Sequence, residues 1–528
     1  MDVLSLRFAP PSLPRASSFP SAGKEGGIGI ARFLNGKKLF ITGVTGYLAK
    51  VLVEKIMRAV PDVGKVYVLI NAKAQDAARG RLINEIINCE LFRCLRQIHG
   101  KSYEAFMMSK LVPVAGNITS PSLGIREDLI DSITEEVDII VNSAGSTTFD
   151  ERYDMSLAAN TQGPCNLLTF GQRCRELKVF LHVSTVYANG KRKGNIKEMP
   201  FHINDHTIIR DNLDGEDKSP SPMPILDVEG EISLATRHAK DLEAPLTKQA
   251  LKELGSKRAK KYGWQDTYTF TKAMGEMMID KYRGDIPVVI IRPSIIEGTH
   301  EEPFPGWIQG NRMIDPVVLS YGKGLLTSFL SDEKTVIDVV PADMVVNAIL
   351  AATVKQGLTR VSGIRVYHVG SSVANPLLLG ELFRLFYVHF NTTPFMDSRR
   401  RLILVRPIEL FNSKDGFLNF LNRESLNGGH LAEGASSSEG IYGKKAESIR
   451  RKSLERTKYI ARLYEPYTFY DGRFDNSNTE RLMESMSEDE KVTFRFDVRR
   501  IDWTDYIPNI HIPGVRRYVA KEDLHCRL

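Results

Sequence analysis

Leu39-Phe-Ile-Thr-Gly-Val-Thr-Gly-Tyr-Leu-Ala49 is the stretch that decides the fold of this 528-residue chain. Leu39 to Thr42 predicts a short strand, and Lys50 to Val60 predicts a helix. Between them Gly43, Gly46 and Ala49 stand three residues apart. A strand that turns at once into a helix needs a residue without Cβ at the turn. It needs a second where backbone approaches a phosphate, and a small residue where helix meets strand. Amide groups at the helix start then face an anion. The spacing is a Gly-x-x-Gly-x-x-Ala version of the dinucleotide-binding turn. A glycine-rich string alone can be merely a turn, so the rest of the chain has to carry the assignment.

Composition sets the bounds. A chain of this length holds more than one compact core. Its 42% hydrophobic and 26% charged residues are those of a globular protein. A net charge of +7 does not call for nucleic acid, although a phosphate-rich carrier or cofactor is compatible with it. The five cysteines (89, 94, 165, 174 and 526) form no Cys-x-x-Cys pair, so free thiols in a reduced compartment are expected and no zinc spacing is visible. The least charged long window, Val336 to Val354, contains Asp338 and Asp343, which argues against a transmembrane helix but leaves peripheral membrane contact open. Met1 to Gly23 carries two arginines, one acid, four prolines and five serines. That acid-poor, serine-rich composition suits an organelle transit peptide, with a disordered tail as the alternative.

After Gly36, short apolar strands alternate with helical stretches. Strands are predicted at Lys38–Thr42, Val66–Ile70, Leu111–Ala115, Asp138–Ser143, Val179–Ser184 and Pro287–Arg292. Several are nearly continuous apolar runs, as expected for parallel strands covered on both faces. The pattern predicts an α/β fold, a doubly wound Rossmann-type parallel sheet with a smaller, mainly helical C-terminal domain. Met199 to Ala259 is polar and predicts an insertion of loops and short helices. The expected division is a leader at 1–30, a reductase domain at 31–375 and a connecting substrate-side region at 376–424. A Gly/Ser-rich linker follows at 425–445, and the C-terminal domain at 446–528.

Tyr268-Thr-Phe-Thr-Lys272 puts a phenol and an ammonium on one helix face. A nearby cation favours tyrosinate and is expected to draw the phenol's pKa down from about 10. Such a tyrosine exchanges a proton with a carbonyl or alcohol oxygen while a nicotinamide exchanges hydride with the carbon. Tyr187-Ala-Asn-Gly-Lys191 has the same spacing, but Asn189-Gly190 argues against a helix there, so that pair reads as coincidence. The predicted strand at Val179 ends in Ser184-Thr185, either of which could hydrogen-bond the reacting oxygen, though hydroxyls at strand ends are often only turn formers. Glycine turn, strand-end hydroxyl and Tyr-x-x-x-Lys in that order resemble the extended short-chain dehydrogenase/reductase superfamily.

The resemblance extends to a particular family. Asn142-Ser-Ala-Gly-Ser-Thr-Thr-Phe-Asp-Glu-Arg-Tyr-Asp154, Ile291-Arg-Pro-Ser-Ile-Ile-Glu297 and Glu302-Pro-Phe-Pro-Gly-Trp-Ile-Gln-Gly310 look like the alcohol-forming fatty acyl reductases. So do Tyr464-Glu-Pro-Tyr-Thr-Phe469 and Phe474-Asp-Asn476, and the similarity is greatest to the plant male-sterility type, whose members act in plastids. It implies NADPH-dependent reduction of a long-chain acyl thioester, on coenzyme A or acyl carrier protein, to a primary alcohol. It implies Thr185, Tyr268 and Lys272 as catalytic residues, with Thr185 preferred to Ser184. Cofactor contacts are implied at Gly43, Thr45, Gly46, Tyr47 and Leu48 of the turn, at Asn117 and Ile118, and at Lys272. No metal is implied, and the plastid is the expected location, with the cytoplasm or a membrane surface as the alternative.

Two positions depart from the family pattern. An arginine suited to the 2′-phosphate of NADP usually follows the second strand, where this chain has Asn71; Lys73 and Arg79 are the nearby replacements, and Lys73 is taken as the cofactor contact. The usual Gly-Asp-Ile near the adenine is Gly116-Asn117-Ile118. Both changes fall in one pocket. They support a competing reading, a cofactor-binding paralogue with weakened catalysis. A sugar-nucleotide epimerase or dehydratase of the same superfamily explains the three core elements but not the Pro-Phe-Pro-Gly-Trp segment or the C-terminal domain.

Overall fold

A computed structural model describes residues 26–203, 207–213, 224–241, 244–359, 361–426 and 441–522. Most of the expected leader and linker, and Cys526, lie outside the described residues. Seven strands form the main sheet: β1 (Leu39–Thr42), β2 (Val66–Ile70), β3 (Leu111–Ala115), β4 (Ile139–Asn142), β5 (Val179–Val183), β6 (Pro287–Pro293) and β7 (Gly363–Val369). Their order is β7-β6-β5-β4-β1-β2-β3, and every neighbouring pair is parallel. The chain winds outward one way from β1 and then the other way from β4. The carboxyl ends of those two strands, where Thr42 pairs with Asn142, mark the switch point at which such sheets bind ligands.

Alternation along each strand divides the core. Leu39 and Ile41 of β1, with Val68, Val141 and Leu181, point to one face. Helices α1 (Tyr47–Ala59) and α4 (Ala342–Thr359) cover it. Phe40, with Tyr67, Ile140 and Phe180, points to the other. There α2 (Gly163–Arg173) packs Leu167, Leu168 and Phe170 against it, and α3 (Thr267–Tyr282) adds Ile279. With both faces buried, every residue of β1, β2 and β4 is inaccessible, which is why their sequences read as unbroken apolar runs.

Two parts of the fold differ from the sequence expectation. β7 was not predicted, because Ile364 and Arg365 lie partly open at the sheet edge and only its second half is buried. The region expected to hold loops and short helices contains helices of 14 and 18 residues, Val228–Asp241 and Ala244–Lys261. They are fastened through Glu231, which accepts from Tyr153 at 2.8 Å and pairs with Arg258. The following Trp264 is fully buried and donates to the Ala188 carbonyl at 2.8 Å, pinning the loop beyond β5.

The C-terminal segment is mainly helical and shares its core with the sheet. Phe474, Ile501, Trp503 and Tyr506 belong to the same apolar cluster as Leu39 and Ile41. A short strand, Gly472–Phe474, pairs in parallel with Gly194–Ile196. Helices α5 (Leu379–Thr392) and α6 (Ile441–Thr468) flank the carboxyl side of the sheet. No helix among the described residues is long and apolar enough to cross a membrane.

Candidate active site

At the switch point β1 runs into Gly43, whose φ of 79° lies in the left-handed region. A Cβ there would meet the backbone of Ser143 and Ala144 at 2.8 Å, so only glycine lets the turn pass this close to the end of β4. Gly46 is the N-cap of α1 and offers no side-chain cap, which leaves the first amides of the helix directed outward as an anion cradle. Gly43, Thr45, Gly46, Tyr47 and Leu48 line one end of a cavity of about 560 Å³. These features fit a dinucleotide phosphate, and the anion would be held by backbone rather than by a side chain.

Asn71, Asn117 and Ile118 line the same end. The Asn117 carboxamide is occupied locally, accepting from the Thr119 amide and hydroxyl at 3.0 Å each. Lys73 is exposed and is not among the residues lining the cavity. Arg81 does not line it either, but it donates to the carbonyl of Asn71, which does, at 2.8 Å while pairing with Glu85 at 2.6 Å. No strand-end motif points to Arg81, because it reaches back from a following helix.

Deeper in the cavity the three residues singled out from sequence come together. Thr185 follows β5 and caps a short helical turn, Val186–Asn189, accepting from the Tyr187 amide at 3.3 Å. Its hydroxyl and the phenol of Tyr268 line the same stretch of the cavity, near enough for the hydroxyl to draw the phenol's pKa down. Ser184 turns away: its backbone amide bonds the Ile291 carbonyl at 2.7 Å, and its hydroxyl donates to Glu276. Glu276 in turn forms a fully buried ion pair with Arg292, with its shortest contact at 2.6 Å. Of the two candidate hydroxyls, that of Ser184 is committed to Glu276 in the core, and that of Thr185 lies on the cavity side with Tyr268.

Lys272 sits one turn after Tyr268 on α3 and donates to the Val183 carbonyl at 2.6 Å. A buried polar chain ties it to the glycine strand. Thr42 accepts from the Ser143 and Ala144 amides and so donates its own hydrogen to Asn142 Oδ1 at 2.9 Å. That leaves Asn142 Nδ2 to donate to His182 Nδ1 at 3.0 Å, and His182 Nε2 lies 3.5 Å from Lys272 Nζ. Burial pushes Lys272 down to about 8, with Glu276 opposing the shift. Burial also holds His182 neutral.

One electrostatic expectation is corrected. The ammonium was expected to draw the Tyr268 phenol toward ionisation. Instead burial, reinforced by Asp266, pushes that phenol well above its ordinary value, and only the nearby Thr185 hydroxyl acts the other way. Lys272 directs its proton at a carbonyl, and two desolvated groups at this depth lose more to burial than they gain from each other. Burial thus favours the neutral phenol of Tyr268. The second Tyr-x-x-x-Lys pair does not resemble the first. Tyr187 is packed edge-on against Tyr467 and Phe474, and the turn ends at Gly190 before Lys191.

Beyond Tyr268 the cavity becomes apolar. Val317, Phe329, Leu382, Phe383 and Phe386 line it from α5 and its neighbours. The C-terminal helix α6 supplies Tyr464, Tyr467 and Thr468, contributions that no sequence spacing announced. A polar end that suits a dinucleotide, a neighbouring hydroxyl and phenol, and an apolar extension define a reductase of the extended short-chain dehydrogenase type.

Comparison with known proteins agrees. An NAD-binding family model described as male sterility protein matches residues 41–349, and a second model of the same description matches 440–522. The chain belongs to the male sterility protein family. It is 53% identical over 503 residues to the chloroplastic fatty acyl-CoA reductase 2 of Arabidopsis thaliana, covering 94% of this chain and 81% of the relative. It is 38% identical to the alcohol-forming fatty acyl-CoA reductase of Simmondsia chinensis, covering 93% and 98% of the two chains. Among solved structures, the terminal R domain of the myxalamid PKS-NRPS pathway shares the fold. Its TM-score is 0.56 at 16% identity, with 91% of this chain and 90% of that one covered.

Proposed function

We propose that the protein reduces a long-chain fatty acyl thioester to a primary fatty alcohol, with NADPH as reductant and an aldehyde as the intermediate. What supports this most directly is that Thr185, Tyr268 and Lys272 line one cavity between a phosphate cradle and an apolar extension. The glycine-turn end of that cavity would hold the cofactor, and the end lined by Phe329, Phe383 and Phe386 has room for an acyl chain. The nicotinamide, when bound, supplies hydride for each of two reductions. At the thioester stage Thr185 and Tyr268 hydrogen-bond the carbonyl oxygen where negative charge develops. Tyr268 protonates it to give a thiohemiacetal. On collapse the hydroxyl proton returns to Tyr268, the C=O bond re-forms as the C–S bond breaks, and the sulfur takes a proton from water to leave as thiol, giving the aldehyde. At the aldehyde stage Tyr268 again delivers the proton that completes the hydroxyl. Lys272, itself held by the Val183 carbonyl and close to His182, would hold the ribose hydroxyls of the bound cofactor.

The same residues bear on carrier and location. An acidic acyl carrier protein is a natural donor for a chain of net charge +7, and the acid-poor leader together with a chloroplastic relative supports import into plastids. The test is to incubate purified protein with palmitoyl-coenzyme A or palmitoyl-acyl carrier protein, each with NADPH or NADH, and to analyse the lipids. Hexadecanol formed with NADPH is the expected product. Absence of alcohol and aldehyde under all four conditions would leave only the cofactor-binding paralogue.

A further inference from the structure

Three side chains far apart in sequence meet in a closed space beside the cavity. Glu297 follows β6, Asp315 opens the helix Asp315–Gly322, and His511 belongs to the C-terminal segment. Their side chains are 1%, 1% and 0% exposed. His511 Nε2 lies 3.4 Å from Asp315 Oδ1 and 3.7 Å from Glu297 Oε2. Each acid gives its other oxygen to backbone: Glu297 Oε1 accepts from the Ile314 amide and Asp315 Oδ2 from the Arg312 amide, both at 3.3 Å. The oxygens that face His511, and both imidazole nitrogens, have no hydrogen-bond partner.

Orphaned polar atoms at this depth are costly, and two acids sharing one space repel each other. Among the described residues no lysine or arginine side chain forms an ion pair with either acid. A single water has two protons for three acceptors and leaves the charge uncompensated. A divalent cation answers both needs. Ligand atoms around a tetrahedral ion with bonds of roughly 2.0–2.1 Å stand about 3.3 Å apart, close to the separations here. One imidazole and two carboxylates suit zinc or a similar borderline ion better than magnesium or calcium, which take six or more oxygens.

We propose that Glu297, Asp315 and His511 form a divalent metal site of the zinc class that fastens the C-terminal segment to the reductase sheet. The ion joins the segment after β6 to the helix of Asp315, and Ile314 and Asp315 line the cavity wall. The clasp therefore sets the position of that wall without touching the reacting atoms. Because its ligands are scattered along the chain, it has no spacing signature.

The test uses untagged full-length protein expressed with zinc in the medium. Metal analysis is expected to find about one equivalent per chain, and removal by a strong chelator to lower the melting temperature, reversibly on adding zinc. Cobalt substitution is expected to give the intense visible bands of a four-coordinate ion. Glu297→Gln, which preserves shape, and His511→Ala are expected to lose both the metal and the response to chelator. Wild-type protein that is metal-free and melts at the same temperature with and without zinc would overturn the proposal. So would zinc retained equally by wild type and both variants, since the ion would then be held elsewhere, for instance by thiols.

Discussion

Tyr467 donates its phenolic hydrogen to the carboxylate of Asp266, and Asp266 caps the helix that carries Tyr268 and Lys272. One carboxylate oxygen receives the Thr269 amide at 2.8 Å while the other receives the tyrosine. The C-terminal segment thereby reaches the first turn of the helix that carries Tyr268 as well as lining the cavity. Phe149 stacks on Tyr467 with ring centroids 5.3 Å apart and also meets Tyr268 at 6.0 Å, which closes the aromatic wall.

Tyr467→Phe removes one donor from a buried carboxylate and keeps the ring. Loss of such a partner destabilises by about 1–3 kcal/mol. The variant is expected to melt lower and to turn over acyl thioester more slowly, because the start of α3 loosens around Tyr268. Thermal unfolding and steady-state kinetics on the same preparation check this. Unchanged melting and unchanged kcat would mean that the contact is incidental.

Tyr268→Phe isolates the proton transfer. Only one oxygen is lost, so the fold is retained, whereas general acid catalysis is typically worth about 10²–10⁴ in rate. Alcohol formation is expected to drop by that range while cofactor still binds. Lys191→Ala, at the look-alike pair, is expected to leave the rate near wild type. A Tyr268→Phe enzyme with near-normal turnover would remove this residue from the chemistry.

How much of this was legible depended on whether a contact leaves a periodic trace. β1, β2 and β4 are buried on both faces and announce themselves as apolar runs, but β7 opens at the edge with Arg365 exposed. Tyr268 and Lys272 were legible because helical spacing and chemistry coincide. Tyr467 and Asp266 stand 201 residues apart, and nothing in either local sequence names the other. The expected pull of Lys272 on Tyr268 failed for a similar reason, since spacing reports proximity but not the burial that dominates both groups.

The depressed Lys272 gives a pH signature whose sign separates activity from stability. Below about 8 the ammonium is charged in the folded protein, and above it the charge is lost, whereas in the unfolded chain it persists to about 10.5. If charged Lys272 holds the ribose, kcat/KM falls as pH rises through 8. Between those two values the unfolded state binds more protons, so this group's contribution to stability improves with pH. Activity is thus expected to decline above pH 8 without a matching drop in melting temperature. A rate profile flat to pH 10 would contradict the role given to Lys272.

Asn71 follows β2 and lines the cavity, and Arg81 donates to its carbonyl. Asn71→Arg is expected to tighten NADPH far more than NADH, since a charge-assisted arginine contact is worth about 1.5–3 kcal/mol. Arg81→Ala is expected to weaken NADPH selectively. Calorimetric titration of both cofactors into both variants decides it. Equal changes for NADPH and NADH would show that neither side chain meets the 2′-phosphate.

The leader offers a prediction that stands apart from the catalytic ones. Residues 1–23 contain two arginines and a single acid among five serines, the composition of an import signal rather than of a secretory one, whose apolar run they lack. Residues 1–30 fused to a fluorescent reporter are expected to direct it into plastids of plant cells, where acyl carrier protein thioesters are made. The carrier preference can be measured separately: an acidic donor bound through opposite charge loses affinity as salt rises, with the loss appearing mainly in the association rate. Plastid accumulation and a salt-sensitive preference for the acyl carrier protein thioester are expected together. Diffuse cytosolic fluorescence would refute the targeting and favour coenzyme A thioesters as the substrate.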